Sequence, residues 1–379
     1  MRFAVFHAVA ALWVLWRFVL PLPIAGRTKL AGFLVTLCIA FFPAATVLFF
    51  GGLLSPELPA WVLIVGNGAE FALVSLAGLT FLREIIIFFA VLAGRSGERT
   101  HRFVQQDRRV ALGMIGLSAG LSVFGLYEGV RVPGVKRLPM PIRDLPEGLE
   151  GMTIVQLSDI HASSLLRAPH IRALVERVNA LEPDLIVITG DLVDGTVPSR
   201  VEDVAPLAEL RARCGVLCAE GNHEHYIDYE GWMAHFKTLG LPFLRNEWRA
   251  VERGGETLIV AGVTDPWAKR FGRPLPDPVQ AFAGAPEKGP RLLLSHQPKP
   301  ARRYDEAVRF DVMLSGHTHG GQLLGMDYSV SLLNATFVRG WYRLSRALLY
   351  VHSGSGVWNG FPVRVGVPSE ITLFTLTRA

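Results

Sequence analysis

The sequence contains little cysteine, with three residues in 379. Cys38 lies in an apolar run, whereas Cys214 and Cys218 stand four residues apart on a predicted strand. The rise along a strand places those two residues too far apart for a disulfide bond. The cysteines therefore indicate neither a disulfide framework nor a redox compartment.

Charge is scarce in the first 127 residues, which hold nearly all of the long uncharged runs. Leu30–Leu54 is uncharged for 25 residues, and a helix needs roughly 20 apolar residues to cross a bilayer. Trp61–Ala93 and Val110–Tyr127 are two further predicted spans, and Phe3–Leu20 stays open as a fourth. We predict a transmembrane region over residues 1–127 with three to four helices.

Charged pairs typical of a transporter are also scarce in these runs. Glu70 is compatible with an ion path or with a side chain that faces a neighbouring helix, and the sequence favours the second. The net charge of +5 is explained by basic loops that flank membrane helices. No basic groove interleaved with aromatic residues is visible, so no nucleic acid partner is expected.

The side of the membrane follows from the loop before the last span. Gly94–Arg109 carries five arginines, which predicts a cytoplasmic loop. The Val110–Tyr127 helix then delivers the rest of the chain to the extracytoplasmic side of the cell membrane. Basic residues after that helix favour the opposite orientation: Arg131, Lys136, Arg137 and Arg143. We predict an integral, multi-pass cell-membrane protein with an extracytoplasmic C-terminal domain.

Composition changes twice after the last span. Residues 128–150 are rich in Pro, Gly and Arg, which predicts an extended linker. Residues 151–379 alternate short apolar runs with amphipathic segments, for example a predicted helix over Pro169–Leu181. This alternation is typical of an α/β domain.

Metal-ligand residue types follow almost every predicted strand of this domain. In chain order they are Asp159 and His161, Asp191 and Asp194, Asn222 and His223, Asp265, His296, and His317 with His319. Each residue alone has an ordinary explanation, such as a turn cap or a buried core histidine. Ligands of α/β sheets gather beyond the carboxyl ends of the strands, so the repetition predicts one shared metal site.

Five blocks of the domain resemble those of a known family. They are Asp159-x-His161, Gly190-Asp191-x-x-Asp194, Gly221-Asn222-His223-Glu224, His296, and Gly316-His317-x-His319. The sequence from about Leu145 onwards is similar to the calcineurin-like metallophosphoesterases, and within them to the membrane-attached YkuE/YaeI-like branch. The resemblance implies a two-sheet β-sandwich flanked by helices and a metal-dependent phosphoric ester hydrolase.

The resemblance also implies roles for the residues of these blocks. Asp159, His161 and His319 would hold one divalent metal ion, and Asn222, His296 and His317 a second. Asp191 would bridge both ions, His223 would protonate the leaving group, and Asp194 would orient a ligand. This mixture of imidazole, carboxylate and amide oxygen suits Mn, Fe or Zn. A metal-bridging hydroxide would then hydrolyse a phosphomonoester, phosphodiester or pyrophosphate bond.

The substrate is less constrained by the sequence. Arg339 is a candidate phosphate clamp or a surface arginine, and aromatic residues near Trp341 and Trp358 are candidates to seat an acyl chain or lie on the membrane. A membrane-tethered domain favours a lipid or lipid-linked nucleotide substrate. Two alternatives are a non-catalytic membrane protein whose metal domain binds a phospholipid or a partner, and a transporter or channel with an accessory enzyme domain.

Overall fold

The structure is a computed structural model and describes residues 2–49, 57–93 and 108–379. It divides into an N-terminal helical unit and a C-terminal α/β unit. Most of the arginine-rich loop used above to predict orientation, residues 94–107, lies outside the described residues. The same holds for residues 50–54, the end of the first predicted span.

The N-terminal unit is built from apolar helices. They are α1 Arg2–Val14, which continues as a π-helical turn Leu15–Val19, α2 Gly26–Phe49, α3 Ala60–Leu92 and α4 Arg108–Val130. Three stretches, Gly26–Phe49, Ala60–Leu92 and Arg109–Val130, are long and apolar enough to cross a membrane. These three helices are consistent with a transmembrane region, and the extent of that region over residues 1–127 stays a prediction. The fourth candidate, Phe3–Leu20, is helical in the structure, but its apolar helix is shorter than the other three.

Glu70 faces a neighbouring helix, as the sequence favours. Its side chain is buried on α3, and its Oε2 atom lies 3.6 Å from Nε2 of His7 on α1. A buried carboxylate in an apolar bundle is costly unless another polar group lies close to it. The structure therefore gives Glu70 an adjacent polar side chain within the helical unit.

The C-terminal unit contains eleven strands and seven helices among the described residues. The strands are β1 Gly134–Ile142, β2 Thr153–Leu157, β3 Leu185–Thr189, β4 Val216–Ala219, β5 Glu247–Arg253, β6 Glu256–Gly262, β7 Arg291–Leu294, β8 Val312–Ser315, β9 Gly340–Arg343, β10 Leu348–Val351 and β11 Glu370–Arg378. The helices are α5 Ala168–Asn179, α6 Val197–Val204, α7 Asn222–Tyr226, α8 Tyr229–Thr238, α9 Pro278–Ala281, α10 Ala301–Ala307 and α11 Asp327–Leu333.

The strands form two mixed sheets. The first has the order β1-β11-β2-β3-β4, in which β2, β3 and β4 are parallel to one another. The second has the order β5-β6-β7-β8-β10-β9, in which β6, β7, β8 and β10 are parallel. All of these parallel strands except β10 end just before residues that the sequence marks as candidate metal ligands, so both sheets contribute to one site.

The two sheets pack face to face because their strands alternate between two apolar clusters. On β3, Leu185 and Val187 belong to the core between the sheets, whereas Ile186 belongs to the core under the outer helices. On β8, Leu314 faces the inner core and Met313 the outer one. Alternation with period two on strands buried on both faces produces a sandwich flanked by helices. The predicted fold class is confirmed.

One segment differs from its predicted form. Residues 134–142, inside the predicted linker 128–150, form the edge strand β1, which pairs in parallel with β11 from Gly134 opposite Glu370 to Ile142 opposite Arg378. Pro139 and Pro141 favour a linker over a strand, because proline has no N–H group to donate in the hydrogen bonds between strands. An edge strand tolerates proline, since one side of it has no partner.

Candidate metal centre

The first group of converging ligand atoms comes from β2 and from the loop after β8. Asp159, His161 and His319 offer ligand atoms that all lie within 4.8 Å of one another. Nε2 of His161 lies 3.2 Å from Nε2 of His319, which in turn lies 3.5 Å from Oδ1 of Asp159. All three residues are buried. The structure therefore brings together two imidazoles and one carboxylate.

The second group comes from the ends of β3, β4, β7 and β8. Asp191, His296 and His317 also have ligand atoms within 4.8 Å of one another. Nε2 of His296 lies 3.1 Å from Oδ2 of Asp191, 3.2 Å from Nδ1 of His317 and 3.1 Å from Oδ1 of Asn222. Asn222 thus joins this group through its amide oxygen.

Asp191 lies between the two groups. Its Oδ2 atom is 3.1 Å from Nε2 of His296 in the second group and 3.9 Å from Nε2 of His161 in the first. Its other oxygen, Oδ1, accepts a hydrogen bond from the backbone N–H of His223 at 2.8 Å. One carboxylate oxygen therefore faces both groups while the other fixes the side chain.

The hydrogen bonds behind the histidines determine which ring nitrogen faces the centre. Nδ1 of His161 lies 3.0 Å from Oδ1 of Asp194, and Nδ1 of His296 lies 2.8 Å from the carbonyl oxygen of Thr189. Both partners are acceptors, so the proton resides on Nδ1 and the Nε2 lone pair points inward. Inward lone pairs and carboxylates together form a donor set that fits divalent cations.

The backbone around these residues adopts conformations that are rare for residues other than glycine. Positive φ angles between 48° and 71° occur at Asp159, His161, Asp191, His317 and His319. Such strain persists where the surrounding structure fixes it, and it clusters at functional sites. Glycines 221 and 316 permit the close packing, since a Cβ on them would overlap Asp191 and Asp159 respectively.

Glu224 holds two of the loops together. Its buried carboxylate accepts hydrogen bonds from the backbone N–H groups of Gly221, Asp191 and Leu192 at 2.7, 3.1 and 2.6 Å. The sequence contains Glu224 within one of the five blocks but gives it no role. Three hydrogen bonds to one carboxylate fix the end of β3 against the start of α7, and hydrogen bonds to charged groups are the stronger kind.

His223 lies beside the first group, since His161, Asp194 and His223 offer a third set of ligand atoms within 4.8 Å of one another. Its Nδ1 atom is 2.6 Å from Oδ1 of Asp194, and its side chain is 11% exposed. Burial alone lowers the pKa of His223, but the carboxylates of Asp191 and Asp194 raise it to about 9. Burial likewise raises the pKa of Asp194, but His161 and His223 hold it at about 2. The imidazolium of His223 and the carboxylate of Asp194 thus stabilise each other.

Three residues that the sequence raises for the site have other contacts. Asp265 is buried beside the second group, where Gln297 donates to its two oxygens at 3.0 and 3.1 Å, and it belongs to none of the three converging groups among the described residues. Arg339 donates to the carbonyl oxygen of Gly320 at 2.7 Å. Trp341 packs on Tyr350 of the inner core with ring centroids 5.0 Å apart.

Arg364 is a site residue that the sequence does not reveal. It is fully buried, and its guanidinium donates to the carbonyl oxygens of Ser353, Gly356 and His319 at 2.7, 2.9 and 3.2 Å. Its Nη2 atom also lies 3.3 Å from Nδ1 of His319. Arg364 stands 45 residues from His319 in the chain, and no motif joins the two.

Comparisons with known proteins agree with this architecture. A family model described as calcineurin-like phosphoesterase matches residues 152–321. A Danio rerio transmembrane protein with metallophosphoesterase domain is 35% identical over 314 residues, which cover 78% of this chain and 71% of that protein. An uncharacterized metallophosphoesterase of Helicobacter pylori is 37% identical, with 66% of each chain covered. YkuE of Bacillus subtilis, also an uncharacterized metallophosphoesterase, is 30% identical over 61% of this chain and 81% of YkuE.

The solved structures are more distant. A 5′-nucleotidase precursor from Thermus thermophilus has 18% identity and a TM-score of 0.39, with 59% of this chain and 54% of that chain covered. The chain therefore spans about half the length of that structure.

The two-sheet sandwich and the converging histidines and aspartates define a metal-dependent phosphoesterase domain. The chain belongs to the calcineurin-like phosphoesterase family, and its relatives include YkuE and transmembrane members. The predicted family and the predicted class of enzyme, a metal-dependent phosphoric ester hydrolase, are confirmed. The roles of the individual site residues stay predictions.

Proposed function

We propose that this chain is a membrane-anchored phosphoesterase that uses two divalent metal ions, chosen from Mn, Fe and Zn. The observation that carries the proposal is the position of Asp191 between two groups of ligand atoms. A single carboxylate shared by two such groups is the arrangement expected of a dinuclear centre. Neither group contains a thiolate, which agrees with the proposed metals.

Each ion has its own set of proposed ligands. Asp159, His161 and His319 would hold one ion, and Asn222, His296 and His317 would hold the other, with Asp191 contributing to both sets. When bound, the two ions supply a hydroxide nucleophile at neutral pH and neutralise charge on the phosphoryl oxygens.

The protein's own residues orient the site and handle the proton. Asp194 accepts hydrogen bonds from Nδ1 of both His161 and His223, so it fixes the tautomer of a proposed ligand and of the proposed acid. The Nε2–H of His223 donates a proton to the departing oxygen of the substrate. His223 suits this role because neighbouring carboxylates stabilise its protonated form.

Removal of the metals provides the first test. We expect dialysis of the full-length protein against a chelator to abolish hydrolysis of bis-p-nitrophenyl phosphate, and added Mn, Fe or Zn to restore it. Elemental analysis of the reloaded protein should find two ions per chain. Hydrolysis that persists in the metal-free protein contradicts the proposal, and absence of hydrolysis with every metal favours the non-catalytic alternative.

A second test concerns Asp194. The Asp194→Asn variant keeps the shape of the side chain but loses the charge that orients His161 and His223. Changes to such outer partners typically lower metal affinity or activity by about 10- to 100-fold. Titration of the metal-free variant with Mn should show weaker binding at one of the two sites. Unchanged affinity at both sites, together with unchanged turnover, contradicts the orienting role.

We propose a phosphodiester or pyrophosphate on a lipid or a lipid-linked nucleotide as the substrate. The support is the set of three apolar helices in the same chain, since a domain tethered to the membrane would meet lipid-borne substrates at high effective concentration.

The catalytic domain is proposed to lie on the extracytoplasmic side. Protease added to intact cells should then cleave this domain, and cleavage only after lysis would contradict the orientation.

A further inference from the structure

Exposed apolar side chains are concentrated in two stretches of the C-terminal unit. Among the described residues of that unit, the exposed large apolar side chains are Phe271, Leu275 and Val279, and Leu324, Met326, Tyr328, Leu332 and Leu333. The second stretch is the denser one: Tyr328, Leu332 and Leu333 are 73%, 70% and 68% exposed. We call residues 323–333 the apolar segment.

Packing against its own domain does not explain why the apolar segment forms a helix. This helix, α11, has seven residues and no buried residue. Helices this short are marginal in water unless an apolar face packs on something. Contiguous exposed apolar patches on soluble proteins mark interaction sites. The segment therefore presents a surface that a partner would cover.

The apolar segment is attached firmly to the loop that carries His319. Arg339 donates to the carbonyl oxygen of Gly320 at 2.7 Å and to Oδ2 of Asp327 at 3.3 Å, which links the loop to the first residue of α11. The backbone N–H of Leu324 also donates to the carbonyl oxygen of Val365 at 3.0 Å. Whatever covers the segment is consequently held close to the candidate metal centre.

A lipid bilayer fits the chemistry of this surface. The three long helices of the same chain expose apolar side chains in the same way and have the length and hydropathy of membrane spans. At the end of the segment the exposed Arg302 donates to the carbonyl oxygen of Ala335 and to Oγ1 of Thr336, at 2.9 and 3.3 Å. Arg339 stands near its beginning. Apolar residues with flanking arginines are typical of interfacial segments that bind anionic lipids.

A second copy of the chain fits less well. Stable protein interfaces use roughly 20–30 residues per partner, whereas this segment offers five exposed large apolar side chains.

We propose that the apolar segment docks into the headgroup region of an anionic lipid bilayer, beside the His319 loop. The inference rests on the proposed membrane location and is independent of the proposed reaction.

The test measures lipid contact directly in the full-length protein. With the two accessible cysteines, Cys38 and Cys214, replaced by serine, Tyr328→Cys and Leu333→Cys are labelled with an environment-sensitive fluorophore after reconstitution into phosphatidylcholine–phosphatidylglycerol vesicles. We expect spin-labelled lipids to quench both probes. Lys237→Cys, which replaces an exposed residue of α8, is the control and should not be quenched. Quenching at 328 and 333 no stronger than at 237 overturns the proposal.

A charged variant tests whether the apolar side chains of the segment themselves cause the contact with lipid. Leu332→Asp with Leu333→Asp should reduce quenching of the Tyr328→Cys probe to the level of the Lys237→Cys control, since both exposed leucines leave the lipid. Quenching that persists in this variant overturns the role of the segment, as does cross-linking of Leu333→Cys between copies without lipid quenching. Hydrolysis of bis-p-nitrophenyl phosphate by the same samples reports on the reaction alone, so each proposal can fail without the other.

Discussion

The Asp191→Asn variant is expected to lose both metal ions and, with them, at least about a thousandfold in kcat/KM. Metal ions stabilise the transition state by several kcal/mol, and each 1.4 kcal/mol corresponds to a factor of ten. The amide cannot replace the carboxylate in either orientation. If its oxygen accepts the N–H of His223, its NH2 group points at the cations; if it turns, its NH2 group opposes the N–H of His223.

Asp265→Asn provides the matched control for this experiment. Asp265 is also a buried aspartate at a strand end of the same domain, but its oxygens accept from Gln297 and it joins none of the converging groups found among the described residues. Elemental analysis of both purified variants should find the metals lost from Asp191→Asn and kept in Asp265→Asn. Full metal content in Asp191→Asn would contradict the bridging role.

The strand ends could be predicted from the sequence because two physical rules act together. Short apolar runs such as Leu185–Ile188 are typical of strands buried on both faces, and parallel strands direct their carboxyl ends to the same edge. The order of the polar residues after each run then predicts which side chains meet. The structure brings Asp159, His161 and His319 together, although His319 is 158 residues from His161.

Other features depend on contacts that sequence spacing does not encode. Arg364 reaches His319 because a loop far along the chain folds over the site, and nothing in the residues around Arg364 indicates this. The composition of residues 128–150, rich in Pro, Gly and Arg, predicts a linker, but residues 134–142 form β1 because an edge strand tolerates its two prolines.

The exposure of the apolar segment is another feature that the sequence does not predict. The sequence alone does not distinguish its leucines from core residues, because burial depends on whether another element covers them. The structure shows that no element of the domain buries α11. Conversely Trp341, which the sequence offered as a membrane or acyl-chain contact, packs on Tyr350 and Phe374 in the inner core.

His223→Ala is expected to reveal its defect through the leaving group. A general acid contributes about 10²–10⁴-fold when the departing oxygen needs a proton. Alkyl phosphodiesters have such leaving groups, whereas p-nitrophenolate departs readily without one. We therefore expect kcat for an alkyl diester to fall about 100-fold or more, and kcat for bis-p-nitrophenyl phosphate to fall far less.

The comparison of the two substrates separates proton transfer from other roles of His223. If the ring only bound the phosphoryl group or filled space, both substrates would slow by a similar factor, so an equal loss contradicts the acid role. Metal content must stay at the level of the unmodified protein, since the assignment places His223 outside both ligand sets. The Asp194→Asn variant should show the same leaving-group bias in weaker form, because Asp194 holds Nδ1 of His223 and so leaves Nε2 for the proposed proton transfer.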